Sequence, residues 1–147
     1  MEDKLMGIKA AFAAVCSAAA SFLGWQGVMA LVWVAAMGLD YLSGSAAACK
    51  AGKWSSAEAR TGLWHKGGMI LVVCVAAISD GIMAVMCSHL PLQMDWPTLV
   101  LPLVLGWYIL TELGSILENA VKMGANVPGW LVKLLKAGLD AVDHKSE

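Results

Sequence analysis

Hydrophobic positions gather into four long runs, at about 8–23, 28–48, 67–87 and 98–117, separated by short polar, glycine-bearing or proline-bearing breaks. Each run is near the lower limit of about 17 residues for a helix that crosses a bilayer. None alternates apolar with polar residues, and lipid offers no partner to an open sheet edge, so the runs are read as helices. Gly24-Trp25-Gln26-Gly27 makes a tight break between the first two. The stretch 50–64 is polar, and Ser55 followed three residues later by Glu58 has the form of a helix start. Pro91 and Pro97 interrupt the next connection. After Asn126 and Pro128 a last helix is expected over about 129–142. Leu131, Leu134, Leu135, Leu139 and Val142 share one face, and Lys133, Lys136 and Asp140 share the other. Such a helix either lies along a membrane surface or packs against the protein's own cytoplasmic loops. The expected fold is all-α: one membrane domain over 1–147, with about four short spanning helices and a C-terminal amphipathic helix.

Composition agrees with lipid as the solvent. Of 147 residues, 59% are hydrophobic and only 14% are charged, too few to cover the water-facing surface of so small a domain. A net charge of -1 points neither to nucleic acid nor to an acidic substrate. Cys16, Cys49, Cys74 and Cys87 form no CxxC pair, and His65, His89 and His144 have no zinc-site spacing. The cysteines read as small hydrophobes, and neither a metal nor a cofactor is expected. Lys4, Lys9 and the alanines up to Ala20 resemble a signal peptide. The apolar character that resumes directly after Gly27 fits a helical hairpin better.

Charge sets the orientation. With the N-terminus in the cytoplasm, Lys4, Lys9, Lys50, Lys53, Arg60, Lys66, Lys122, Lys133, Lys136 and Lys145 all fall inside. The two outer loops keep only His89 and Asp95. This satisfies the positive-inside rule, and the reverse arrangement violates it everywhere. Trp25, Trp96 and Trp107 then fall near the outer boundary and Trp54, Trp64 and Trp130 near the inner one, as an aromatic belt requires. Both termini are expected in the cytoplasm of a bacterial inner membrane.

Charged groups within spanning helices cost about 2.5–3.5 kcal/mol each and therefore mark candidate sites. Asp40, Lys66, Asp80, Glu112 and Glu118 are the cases. Asp40 belongs to a small-residue stripe, Ala36, Asp40, Gly44, Ala48, that should face another helix. Ala10, Ala14, Ala18 and Ala13, Ser17, Ser21 form two more such stripes. Glu112, Ser115 and Asn119 share one face of the fourth run, and Glu118 and Lys122 have the spacing of a helical ion pair. Counting a rise of about 1.5 Å per residue puts Asp40 and Glu112 at similar depth, on the order of 10 Å from the inner edge, within reach of Lys66. Asp80 lies nearer the outer edge with no evident basic partner. These groups either hold helices together or line a water-filled space when subunits assemble.

Leu39-Asp40-Tyr41-Leu42-Ser43-Gly44 is similar to an aspartate-tyrosine…glycine element of the toxin secretion/phage lysis holin family (bacteriophage holin family 4). Gly62, Lys66 and Asp80 resemble its glycine…lysine…aspartate helix. The most specific piece is Glu112-Leu113-Gly114-Ser115-Ile116-Leu117-Glu118-Asn119 with Gly124, Val127 and Pro128, which resembles the family's glutamate…serine…glutamate-asparagine…glycine…proline signature. The resemblance runs from about Val28 to Leu135. Thr111, where the family has asparagine, and the tryptophans at 64 and 107 depart from it. The resemblance implies a small phage or prophage protein that oligomerises in the inner membrane and opens a lesion that releases or activates an endolysin. It implies a homo-oligomer in the bilayer, with endolysin and an antiholin as candidate functional partners. Some members resemble export devices for large toxins. No catalysed reaction is implied, and no nucleophile constellation or HExxH motif points to one. A small ion or proton channel or transporter subunit is the alternative, with Asp40, Asp80 and Glu112 as ion or proton sites.

Overall fold

A computed structural model shows an all-α chain. It describes residues 2–90 and 97–143, with side chains described in part before Gly24 and none after Gly138. Pro91, Asp95, Trp96, His144 and Lys145, and the side chains of Lys4, Cys16, Leu139, Asp140 and Val142, lie outside what it describes. The helices are α1 (Glu2–Lys50), α2 (Ser56–His89), α3 (Val100–Lys122) and α4 (Gly129–Asp143).

The first two apolar runs share α1, which is interrupted at one residue. Gly24 has φ 68° and ψ -170°, a conformation that side-chain-bearing residues adopt only under strain. The break expected over residues 24–27 is therefore confined to Gly24. One glycine at positive φ redirects the chain, and Trp25 resumes the helix. Helix α2 begins where its cap residue directs. Ser55 is extended, and its Oγ accepts the Glu58 backbone N–H at 3.2 Å. The helix thus takes in the polar stretch 56–66 as well as the apolar run expected to start at 67. Its 34 residues rise about 51 Å, more than the roughly 30 Å of a hydrocarbon core. Its first turns therefore project beyond the apolar layer, with Lys66 at the boundary.

Among the described residues, three helical stretches, Gly24–Lys50, Ser56–His89 and Val100–Lys122, are long and apolar enough to cross a membrane. Their outward faces confirm the solvent they suit. Leu71, Val75, Ile78, Ile82 and Val85 form one exposed apolar stripe along α2, where a water-soluble protein would place polar groups. The protein is a multi-span helical membrane bundle.

Helix α3 is its centre, packing against α1, α2 and α4, whereas α1 and α2 touch little. Trp33 faces Tyr108, and Lys50 reaches the end of α3, so the second part of α1 runs parallel to α3. Helix α2 is antiparallel: Lys66 faces Glu112 and Asp80 faces Leu101. The apolar centre holds Trp33, Met37, Met69 and Leu105, and the Trp33 and Tyr108 rings stack with centroids 5.9 Å apart. Helix α4 doubles back along α3. A Cβ on Gly138 would stand 3.1 Å from Leu110 Cδ1. Half-buried Leu131, Leu135 and Gly138 supply the face that fits α3, while Leu134 is exposed. In this structure α4 is docked on α3.

Candidate functional site

Three helices contribute one polar cluster. Lys66 Nζ lies 3.0 Å from Asp40 Oδ2 and 2.6 Å from Glu112 Oε2. One ammonium from α2 therefore bridges carboxylates on α1 and α3. Glu112 is only 4% exposed, Lys66 14% and Asp40 20%. Asn119, about two turns further along α3 than Glu112, donates its Nδ2 to Asp40 Oδ1 at 3.2 Å and to Ser43 Oγ at 3.1 Å. Ser43 in turn donates to the Asp40 carbonyl at 3.0 Å. Both Asp40 oxygens are thus occupied by different helices, which fixes the rotation of α1 against α3. Two carboxylates sharing one cation, with amide and hydroxyl groups on the remaining oxygens, satisfy buried charges that would otherwise be prohibitive in lipid.

Asp80 belongs to a different place. It is 4% exposed, and its carboxylate accepts the backbone N–H groups of Leu99, Val100 and Leu101 at 3.2, 3.1 and 2.8 Å. Those are orphan donors at the start of α3, whose own cap position, Leu99, supplies no side-chain hydrogen bond. An anion at a helix N-terminus also meets the positive end of the helix dipole. Asp80 is thus bound to the start of a helix on the far side of a loop. Asp80 joins α2 to the start of α3, separated from the Lys66 cluster by the apolar layer around Met69 and Leu105.

The other candidate residues divide. Gly44 faces Asn119: a Cβ there would lie 3.4 Å from Nδ2. With Ala36 and Ala47 buried, the small face of α1 is filled by α3 of the same chain. By contrast, Ala10, Ala13, Ala14, Ser17, Ala18 and Ser21 are all exposed. Ser115 is half-buried and borders the same polar space as Asp40 and Lys66. Glu118 and Lys122 do not form the ion pair their spacing allows: among the described residues, the only ion pairs within 4.0 Å are those of Lys66. Both are exposed, where such a pair gains little against side-chain entropy. Gly124 has φ 93° and ends α3 in a Schellman turn, with Gly124 N–H on the Val121 carbonyl and Ala125 N–H on that of Ala120, both 2.9 Å. The Pro128 carbonyl accepts the Leu131 N–H at 3.0 Å as α4 begins.

Two participants were not singled out from sequence. Ser43 sits one turn after Asp40, a spacing that would have revealed it. Lys50 closes α1 and donates to the Met123 carbonyl at 2.5 Å, holding the ends of α1 and α3 together. A cavity of about 350 Å³ leads to the cluster from this end, bordered by Asp40, Lys66, Ser115, Asn119, Trp54 and Glu58 among others. Among the described residues no group of three His, Cys, Asp or Glu side chains is placed to hold a metal ion. The arrangement pairs buried charges and joins three helices.

Family comparison now meets this geometry. The chain matches the bacteriophage holin family over residues 17–138, a span that includes the Lys66 cluster, Asp80 and most of α4. It belongs to the bacteriophage holin family. An uncharacterised protein of Halalkalibacterium halodurans is similar, 31% identical over 117 residues, covering 79% of this chain and 82% of that one. No solved structure matches. Within the matched span, Asp40, Lys66 and Glu112 are joined across three helices, and Gly124 shapes the turn that leads into α4.

Proposed function

We propose that this holin accumulates in the bacterial inner membrane, oligomerises, and opens a lesion that releases or activates an endolysin. The observation that carries this reading is the family match across residues 17–138 on a multi-span bundle. The exposed alanine and serine stripes before Gly24 support self-association, because helices in lipid associate through close backbone contact. With that first segment inserted, the bundle has four spans and both termini face the cytoplasm, which puts the chain's lysines and arginine on one side. Helix α4 is then a cytoplasm-side amphipathic element that alternates between docking on α3 and lying in the interface.

The test is inducible expression in a bacterium, with and without a cytoplasmic endolysin. Growth should continue, then stop abruptly, with lysis only when the endolysin is present. Membrane-inserted protein that leaves viability intact would overturn the reading. A second reading, a small ion or proton channel, draws on the polar cavity that reaches Asp40, Lys66 and Glu112. It expects ion flux in vesicles without passage of a folded enzyme. Holin-like export of a large toxin expects enzyme-sized passage without loss of the cell.

A further inference from the structure

Helices α3 and α4 do not close on one another completely. Between them lies a cleft of about 440 Å³ with apolar walls from Leu117, Val121, Val132 and Leu135. Gly114 floors its deep end, and nothing stands within 4 Å of where a Cβ would be. The cleft is open on one side, where Val121, Lys122, Val132 and Lys136 are exposed. The charged lining is Lys122, Lys136 and Glu118. Among the described residues, neither lysine has a carboxylate within 4.0 Å. Among the described residues, two ammonium groups border this apolar slot together with one carboxylate, Glu118. Lys122 is on the last turn of α3, where the spanning helix leaves the hydrocarbon. From Gly114 to Lys122 the slot follows α3 for about 12 Å, along the direction an acyl chain takes in a bilayer.

We propose that this cleft binds one anionic phospholipid of the inner leaflet, its acyl chain between α3 and α4 and its phosphate on Lys122 and Lys136. Basic pockets between membrane helices on the cytoplasmic side are suited to such headgroups. The chain fills the space that Leu117, Val121, Val132 and Leu135 leave, and the phosphate separates two like charges. Glu118 faces the same space and selects against a second anionic group. The bound lipid would hold α4 in its docked position. The proposal rests on α3 being a spanning helix, which is read independently by flotation of the protein with vesicles.

The experiment is native mass spectrometry of the full chain released from detergent. Phosphatidylglycerol is compared with phosphatidylcholine of the same chains. One retained phosphatidylglycerol is expected per chain, with phosphatidylcholine held much more weakly. Lys122→Gln with Lys136→Gln should weaken retention roughly thirtyfold, taking each lysine near an anionic headgroup at its usual contribution. Gly114→Phe should abolish it by filling the slot without meeting backbone. Lys133→Gln, on the exposed face outside the cleft, should leave it unchanged. Equal retention of both lipids overturns the proposal, and so does equal loss in the Lys133 variant, which would mean diffuse surface attraction. Retention surviving Gly114→Phe also overturns it. Variants that fail to float with vesicles would indict the spanning assignment instead.

Discussion

Replacing Lys66 with methionine tests whether the three-helix cluster holds the bundle together. The substitution keeps an unbranched apolar stem and removes the cation. Glu112, 4% exposed, then faces Asp40 across the space that the ammonium occupied. Removing one partner of a buried ion pair costs about 3–5 kcal/mol, because the remaining charge is uncompensated. Asp40 is 20% exposed and keeps its bond from Asn119, so water and amide screen part of that loss. A destabilisation near the lower end, about 3 kcal/mol, is expected for Lys66→Met. The assay is reversible unfolding of the full chain in mixed micelles of rising denaturing-detergent fraction, followed by tryptophan near-UV circular dichroism. The decisive comparison is the triple variant Asp40→Asn, Lys66→Met, Glu112→Gln. Its three side chains have nearly the original shapes but no charge, and it should recover more than half of the loss, since uncharged replacements of buried pairs are often close to neutral. A Lys66→Met protein as stable as the parent would refute the reasoning. So would a triple variant no more stable than Lys66→Met, which would mean that the stem's packing and not the charge matters.

Asp80→Ala should cost about 1–2 kcal/mol and fray the start of α3, read as faster hydrogen exchange at Leu99, Val100 and Leu101; unchanged protection there would contradict the capping role. Gly124→Ala forces an alanine to φ near 93° and should cost about 1–2 kcal/mol, so equal unfolding midpoints for parent and variant would remove the argument for that glycine. Gly44→Leu should insert normally but displace Asn119 from Asp40, giving a protein that accumulates yet is late or defective in lysis; normal timing would show that the Asn119 contact is dispensable. Leu92→Cys should be labelled from the periplasm and Lys145→Cys should not, in a chain freed of its own cysteines, and periplasmic labelling at 145 would reverse the proposed topology.

Helices were legible where one chain segment carries its own instructions. Ser55 and Glu58 announce the start of α2, and apolar runs of spanning length announce the bundle. The meeting of Asp40, Lys66 and Glu112 was also within reach, because a constant rise per residue converts sequence distance from a membrane edge into depth. What remained hidden was rotation about each helix axis and the identity of neighbours. The stripe through Gly44 shows that α1 has a small face, but only packing shows that α3 of the same chain fills it. The fit of α4 against Leu110 likewise depends on the turn that Gly124 and the Pro128 carbonyl create together.

Asp80 shows why charge matching alone misassigns polar groups in a membrane. Three of the groups it meets are backbone N–H groups at the start of a helix that begins 20 residues later, which a search for side chains of opposite sign does not consider. In water a helix end finds solvent, so its cap is a local matter. In lipid the end must be satisfied by protein. A carboxylate on a neighbouring helix then does two things: it completes the end of α3 and fixes the height of α3 against α2. Lys50 does the converse at the other end, its ammonium meeting the Met123 carbonyl. With Asp80 above, Lys50 below and Lys66 between them, α3 is held at three levels by side chains from α1 and α2. The apolar faces remain free for lipid, so any rearrangement of these helices has to begin either by breaking these three attachments or by moving the bundle as a unit. The exposed alanines and serines from Ala10 to Ser21 take part in none of these three attachments, so the self-association proposed for this protein would leave them intact if it uses that face.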